Sequence, residues 1–195
     1  MNELKMLKEP LDIEDIDFRI QSINKGGYAT ILAYKDARVD MKRLDAVLGP
    51  ENWQRDHKEL KGNIYCGVGI KCGEEWIWKW DCGSESFTEK EKGESSDSFK
   101  RACFNWGIGR ELYDYPVIQI KLLDNEFDRT NGKPTWDFKL KEWNWISEFD
   151  KKGKLIGLAA KDQNKKLRFK FGEFTPKEDN TKKLAEAIDA EVKTK

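Results

Sequence analysis

The chain carries one histidine, His57, and four cysteines, with no Cys-x-x-Cys pair among them. A structural zinc site would need scattered ligands to converge, so buried, reduced thiols at Cys66, Cys72, Cys82 and Cys103 are the simpler expectation. No Gly-x-x-x-x-Gly-Lys-Ser/Thr loop occurs, which removes the Walker class of nucleotide-driven enzymes. Gly107-Ile108-Gly109 is too short a glycine signal for a phosphate cradle and reads as a helix end. No apolar run approaches the roughly twenty residues of a membrane span, and Met1-Asn2-Glu3-Leu4-Lys5 is charged where a signal peptide begins differently. A cytoplasmic location without membrane contact is expected. Net charge is also missing, since 36 basic residues cancel 36 acidic ones. An anionic partner must then be held by local charge.

The neutral total hides a polarised chain. Between Lys139 and Lys170 ten Lys or Arg stand against four acids, a local net of +6, while acids concentrate in the first twenty residues and between Glu74 and Asp97. Such a run is either a phosphate track or the solubilising surface of exposed strands. At 195 residues the chain can bury a sizeable core and is most simply one domain with a peripheral extension.

Local patterning predicts a helix over Ile13 to Ser22, a turn at Gly26-Gly27 and a strand from Tyr28 to Tyr34. From Ala37 to Leu48 the positions Met41, Leu44, Val47 and Leu48 form an apolar stripe that Gly49-Pro50 ends. Trp53 to Leu60, Ile64 to Cys72 and Glu75 to Cys82 read as an antiparallel meander with turns at Lys61-Gly62-Asn63 and Gly73-Glu74. A Ser-, Glu-, Lys- and Gly-rich loop from Gly83 to Glu94 follows. In the next helix Phe99, Ala102, Cys103 and Trp106 recur at i, i+3, i+4 and i+7, one core face from which Lys100 and Arg101 project away. Ser95 or Ser96 is its candidate cap, and Gly107 with Gly109 its stop.

Beyond Pro116, Val117 to Leu122, Trp136 to Phe149, Leu155 to Lys161 and Lys165 to Phe171 read as strands. Asn180 to Val192 has helical spacing and is a terminal helix or a tail that finds a partner. The expected fold is α+β: a twisted antiparallel β-meander with helices packed on one face, plus a β-rich C-terminal extension. The expected division is 1–116 for the core, 117–175 for the basic β-rich extension and 176–195 for the C-terminal helix or tail.

Eight tryptophans are many for this length, and Trp76, Trp78 and Trp80 alternate along one strand, so their indoles share a side. Burial beneath the helices is the favoured reading, with a subunit interface or a base-stacking platform as alternatives. Trp143 and Trp145 repeat the device around Asn144 inside the basic run, and there stacking and core burial stand level.

The order of Arg38-Val39-Asp40, Leu48-Gly49-Pro50-Glu51-Asn52-Trp53, Tyr65-Cys66-Gly67-Val68-Gly69 and Ser98-Phe99-Lys100-Arg101-Ala102 resembles the Rad-fifty-two (Rad52) superfamily of single-strand annealing proteins, in particular its compact phage members, the Sak-like proteins. The resemblance covers roughly Asp17 to Tyr115. It implies a DNA-binding groove in which Lys100 and Arg101 contact phosphates, with Arg19 and Arg38 as further basic positions, Arg38 being equally suited to an ion pair with Asp36 or Asp40. Lys139 and Lys141, with Trp143 and Trp145, extend the candidate surface from the basic run. One departure is Phe104, which stands where the family often has a third basic residue. A mixed-charge loop, Glu89 to Glu94, is another.

The implied function is binding and annealing of single-stranded DNA in recombination and repair, without ATP, by a homo-oligomeric ring or helical filament, with a host or phage single-strand-binding protein as a candidate partner. Pairing neutralises phosphates and leaves base edges free, and no bond is made or broken, so neither catalytic group, metal nor cofactor is expected. If phage-encoded, the protein would act in the bacterial host cytosol. The rivals are a passive single-strand-binding module and a metal-dependent nuclease built on Glu74, Glu75, Asp81 and Glu85, although these lack a matched lysine.

Overall fold

The computed structural model describes residues 3–84, 90–136 and 138–175, and of residues 90–92 the backbone alone. The expected helix or tail over 180–192 lies outside the described residues. Three three-stranded antiparallel sheets carry the fold: β1 (Asp17–Ile23), β2 (Tyr28–Tyr34) and β6 (Ile118–Lys121) in the first; β3 (Trp53–Leu60), β4 (Asn63–Cys72) and β5 (Glu75–Cys82) in the second; β9 (Asn144–Phe149), β10 (Leu155–Lys161) and β11 (Leu167–Gly172) in the third. A small ribbon pairs β7 (Phe127–Asp128) with β8 (Lys133–Pro134). The α+β arrangement and the β-rich C-terminal region are as the sequence reads. Although β6 lies beyond residue 116, it pairs with β2, Ile118 facing Ile31.

After a short amino-terminal helix α1 (Glu3–Met6), the helix α2 (Ala37–Leu48) begins where Asp36 accepts the Arg38 backbone N–H at 2.8 Å and ends at Gly49, whose φ of +82° is left-handed. Trp53 opens the meander by donating its indole N–H to Asp45 at 2.7 Å, fixing the corner between helix and sheet. On β4, Cys66, Val68 and Ile70 are fully buried beneath α3 (Lys90–Trp106). That helix buries Phe99, Ala102, Cys103 and Trp106, and the Trp106 indole donates to the Val68 carbonyl at 2.9 Å. Each large apolar side chain so buried contributes about 2 kcal/mol.

Three expectations need correction. Ile13 to Ser22 is not a helix: a single 3-10 turn at Ile13–Asp15 leads into β1. Ile16 and Phe18 are buried while Asp17 and Arg19 are exposed, a period of two set by pairing with β2. The loop over 83–94 is shorter, because α3 starts at Lys90, and Ser95 and Ser96 lie inside it. Ser96 donates back to the Gly93 carbonyl at 3.1 Å instead of capping. Only Asn144–Phe149 of the long strand expected from Trp136 is extended, since a 3-10 turn at Leu140–Glu142 precedes it.

The alternating tryptophans are also placed differently. In the β4–β5 register Trp80 faces Gly67 and Trp78 faces Gly69, whereas the helix-covered Val68 faces Lys79. The indoles therefore occupy the face away from α3, with Trp76 38% exposed and Trp78 and Trp80 half-buried. Cysteine-valine-isoleucine on one side of β4 and glycine on the other decide this.

Beyond the meander, the amino-terminal arm and the third sheet close the core. Leu7 and Leu11 are buried, and Arg43 of α2 donates to the carbonyls of Met6, Glu9 and Pro10. Phe18 of β1 stacks on Trp145 of β9, centroids 3.7 Å apart and planes within 3°, joining first and third sheets.

Candidate functional site

A cleft of about 420 Å³ opens where the end of β2, the exposed side of β1, α3 and the 3-10 turn Arg110–Asp114 meet. Arg19 and Lys100 stand on its walls, with Tyr34, Phe104, Leu112 and Tyr113 between them. Sheet pairing places Arg19 opposite Leu32 and pointing out of the core, and its guanidinium lies 5.3 Å from the Tyr34 ring. Burial, with Asp17 nearby, raises the Tyr34 phenol above its ordinary value and keeps it neutral. Phe104 and Tyr113 pack at 5.1 Å and tilt by 57°, so the cleft has aromatic walls and a rim on which Arg19 and Lys100 stand beside Asp97, whose carboxylate accepts from the Ser84 backbone N–H and hydroxyl at 3.0 and 3.2 Å.

Beneath this rim lies a closed ion pair. Lys35 is 2% exposed and Asp40 fully buried; the ammonium bonds the Asp40 carboxylate, donates to the Ile108 carbonyl at 3.1 Å and lies 4.4 Å from the Phe104 ring. Burial, opposed by Lys35, pushes the Asp40 carboxyl up to about 6. Lys35 is thus neutralised within the chain. A Cβ on Gly109 would sit 2.8 Å from the Lys35 stem, so glycine at this left-handed position (φ +70°) lets the lysine pass.

Adjacent on α3, Lys100 and Arg101 diverge by the helical step. Lys100 lines the cleft, and no ion pair or hydrogen bond ties it to another of the described residues. Arg101 turns to the other flank, where its guanidinium donates to Asp81 of β5 at 3.2 Å. Arg38 is widely exposed and lies on Asp36, its Nε donating at 2.8 Å, which holds that carboxyl below the usual range. The structure therefore brings Arg19 and Lys100 to one cleft, with Arg38 and Arg101 each tied to a carboxylate.

The expected C-terminal surface is not assembled. Trp143 and Trp145 are 6% and 8% exposed: Arg168 lies 4.7 Å from the Trp143 ring, and Phe18 covers Trp145. Neither ring has a free face for a base: Trp145 joins the third sheet to the first through Phe18, and Trp143 packs on Arg168 and Phe138. Lys139 sits 4.4 Å over the ring of the exposed Trp136, and Lys141 borders a separate depression with Glu14 and Asp17. Arg168, counted in the basic run, is nearly buried between Glu126 at 2.7 Å and Asp162 at 3.2 Å. Of the other lysines, five divide between the 151–154 and 165–166 turns, whose Asp150 and Asp162 accept backbone N–H groups, and Lys161 of β10 and Lys170 of β11 border a depression of the third sheet. Those turns lie at opposite ends of β10, about 20 Å apart at the usual strand rise.

Tyr34 and Tyr113 escaped the sequence reading. Tyr34 had a signal, a strand end beside the Asp36 helix cap; Tyr113 had none. A cleft with two outward cations and aromatic walls suits a flexible polyanion carrying flat rings. Among the described residues no three His, Cys, Asp or Glu side chains form a metal-ligating group, and no helix is long and apolar enough to cross a membrane. Glu85 of the acidic cluster lies outside the described residues.

Residues 2–130 match the Rad52/22 family of double-strand break repair proteins. A 115-residue stretch is 30% identical to the single-stranded DNA-binding protein DdrA of Deinococcus radiodurans, covering 57% of this chain and 55% of that protein. Over 142 residues the chain is 29% identical to DdrA of Deinococcus deserti, covering 71% of this chain and 68% of the relative. The chain thus spans about half the length of the first relative. The family match includes Arg19, Arg38, Lys100 and Arg101 and ends before Lys139.

Proposed function

The chain belongs to the Rad52/22 family of double-strand break repair proteins, and from that premise we propose that it binds single-stranded DNA in the Arg19–Lys100 cleft and anneals complementary strands. The observation that carries this reading is the pairing of outward Arg19 and Lys100 across aromatic walls, while Lys35 beneath them is already neutralised. The two rim cations take phosphates, which fixes the backbone without reading sequence. Base edges stay free to sample a second strand, and pairing supplies the specificity. Arg38 and Arg101 flank the path and engage DNA once released from Asp36 and Asp81. The single-strand binding named for the two DdrA relatives supports the same partner.

Annealing on this scheme needs no ATP, metal or catalytic group, and a homo-oligomeric ring or filament would align clefts from successive copies into one continuous groove in the cytoplasm. The alternative is a passive coat that binds and does not pair. Two complementary fluorescent oligonucleotides, mixed with protein in EDTA without nucleotide, decide between them. Accelerated annealing is the expected result; binding without acceleration selects the passive coat, and cleavage appearing only with Mg²⁺ selects a nuclease.

A further inference from the structure

The third sheet has an outer face that the core does not use. Trp145, Ala160 and Phe169 stand opposite one another in the register and turn inward, toward Phe18 of β1. One residue along each strand, Ile146, Ala159 and Lys170 point the other way. Ile146 and Leu167 are 46% and 51% exposed. They border a depression of about 240 Å³ that Ala159 and Phe174 complete with apolar surface and that Lys161 and Lys170 flank. The chain itself heads across this face. Past β11 the Glu173 backbone N–H donates to the Ile156 carbonyl at 3.2 Å, and the Phe174 ring closes over Gly157, where a Cβ would meet it at 3.2 Å. Thr175 then donates its backbone N–H to the Glu148 carboxylate of β9 at 3.0 Å. Glu148 pairs with Gly157 and Gly157 with Gly172, so three residues carry the chain from β11 over β10 to β9.

We propose that residues 180–192 of the same chain cover this outer face, laying Leu184, Ile188 and Val192 into the depression between Ile146 and Leu167 and setting Asp189 and Glu191 beside Lys161 and Lys170. Tether, pattern and charge all select this segment. Only Pro176 to Asp179 separate Thr175, already on the face, from Asn180. Four extended residues span up to about 14 Å, and the three strands of the sheet span about 10 Å. Leu184, Ala185, Ile188 and Val192 recur at helical spacing, with Asp189 and Glu191 at the two borders of the stripe. An apolar stripe between acids thus matches an apolar depression between lysines. At the helical rise Leu184 and Val192 stand about 12 Å apart, within the ~20 Å of a six-residue strand. A separate partner would find four apolar side chains, far less than the roughly 800 Å² per partner of a stable protein interface. A tethered segment needs less, because its effective concentration is on the order of millimolar. The cover also takes Lys161 and Lys170 out of reach of phosphate.

Amide hydrogen exchange of the full chain, read by mass spectrometry without DNA, tests the cover. Amides of 184–192 should exchange about tenfold more slowly than in a free peptide of the same sequence. Ile146→Thr with Leu167→Thr keeps strand-favouring residues and should bring the exchange to within about twofold of the peptide. Lys161→Glu with Lys170→Glu should remove part of the protection, and Asp189→Lys with Glu191→Lys added to that chain should restore it. Unchanged exchange of the β3–β5 amides in each variant shows that the fold is intact. Free-peptide exchange in the wild type overturns the cover, and so does protection that persists in Ile146→Thr with Leu167→Thr. Charge reversal without loss, or a loss that the swapped chain does not restore, overturns it as well. Protection that disappears on dilution overturns it in favour of docking on a second copy.

Discussion

The Arg19–Lys100 cleft and the third sheet are built from the same ingredients, cations beside aromatic rings, and put them to opposite uses. In the cleft the rings of Tyr34, Phe104 and Tyr113 line a depression whose rim cations point outward. In the third sheet Arg168 lies against Trp143 and is enclosed by Glu126 and Asp162, while Trp145 is stacked on Phe18. The difference is the counter-charge. Where the chain's own carboxylates close on the cation, a cation–aromatic pair is a strut; in the cleft Asp97 is held by Ser84, while Arg19 and Lys100 close on no carboxylate among the described residues and await an external anion. Local charge of +6 in the sequence between Lys139 and Lys170 therefore overstates what that region offers to phosphate, because its charges are split among two turns, two separate depressions, Lys139 on Trp136 and Arg168 enclosed by two carboxylates.

The comparison breaks most visibly in stability. Arg168→Met leaves two carboxylates without their cation, and a loss of roughly 3 kcal/mol is expected, seen as a melting temperature lower by about 6–12 °C. Single-strand affinity per folded molecule should not change. The reverse pattern is expected for Arg19→Ala with Lys100→Ala: single-strand affinity falls about tenfold at low salt, and stability moves by no more than about 0.5 kcal/mol, because both side chains face the cleft. Fluorescence anisotropy and calorimetry on the same preparations read both.

Arg101 sharpens the comparison within α3, since it is an outward cation with a carboxylate attached. Asp81→Asn should release it and raise single-strand affinity about twofold, and a loss of affinity would show that the pair holds the helix in place. The smallest effect is in pH. Burial raises the Glu126 and Asp162 carboxyls, but Arg168 and backbone N–H groups outweigh it and hold both below their ordinary values. Their folded values lie under the unfolded ones, so the stability they contribute is complete above about pH 4–5 and is lost as pH falls through the folded values. The melting gap between wild type and Arg168→Met should narrow below about pH 4 and stay constant above pH 5.

Much of the fold was legible because its punctuation is local. Asp36 and Gly49-Pro50 bracket α2, and glycine turns bracket the meander, so these elements fall where the sequence places them. The strand at 17–23 is hidden in the sequence because Ile16 and Ile20, four apart, fit a helical stripe as well as alternation; Phe18, buried by Trp145 more than a hundred residues away, decides the period. Alternation told that Trp76, Trp78 and Trp80 share a face. Which face was written on the neighbouring strand, in Cys66-Gly67-Val68-Gly69-Ile70, where every second residue is too small to fill a core. Half of the cleft was legible through Arg19 and Lys100. Tyr113 and the closure of Lys35 on Asp40 depend on tertiary contacts that no local pattern announces.

The central claim is that rim cations of the cleft, and not the basic turns of the third sheet, meet the phosphates. It is tested most directly by the slope of log affinity against log salt for single-stranded DNA, measured for wild type, Arg19→Ala with Lys100→Ala, and Lys151→Ala with Lys152→Ala and Lys154→Ala. The cleft variant should lose about 1.4 from the slope magnitude, ~0.7 for each phosphate contact removed, and the turn variant should match wild type. A slope unchanged in the cleft variant and reduced in the turn variant would contradict the account.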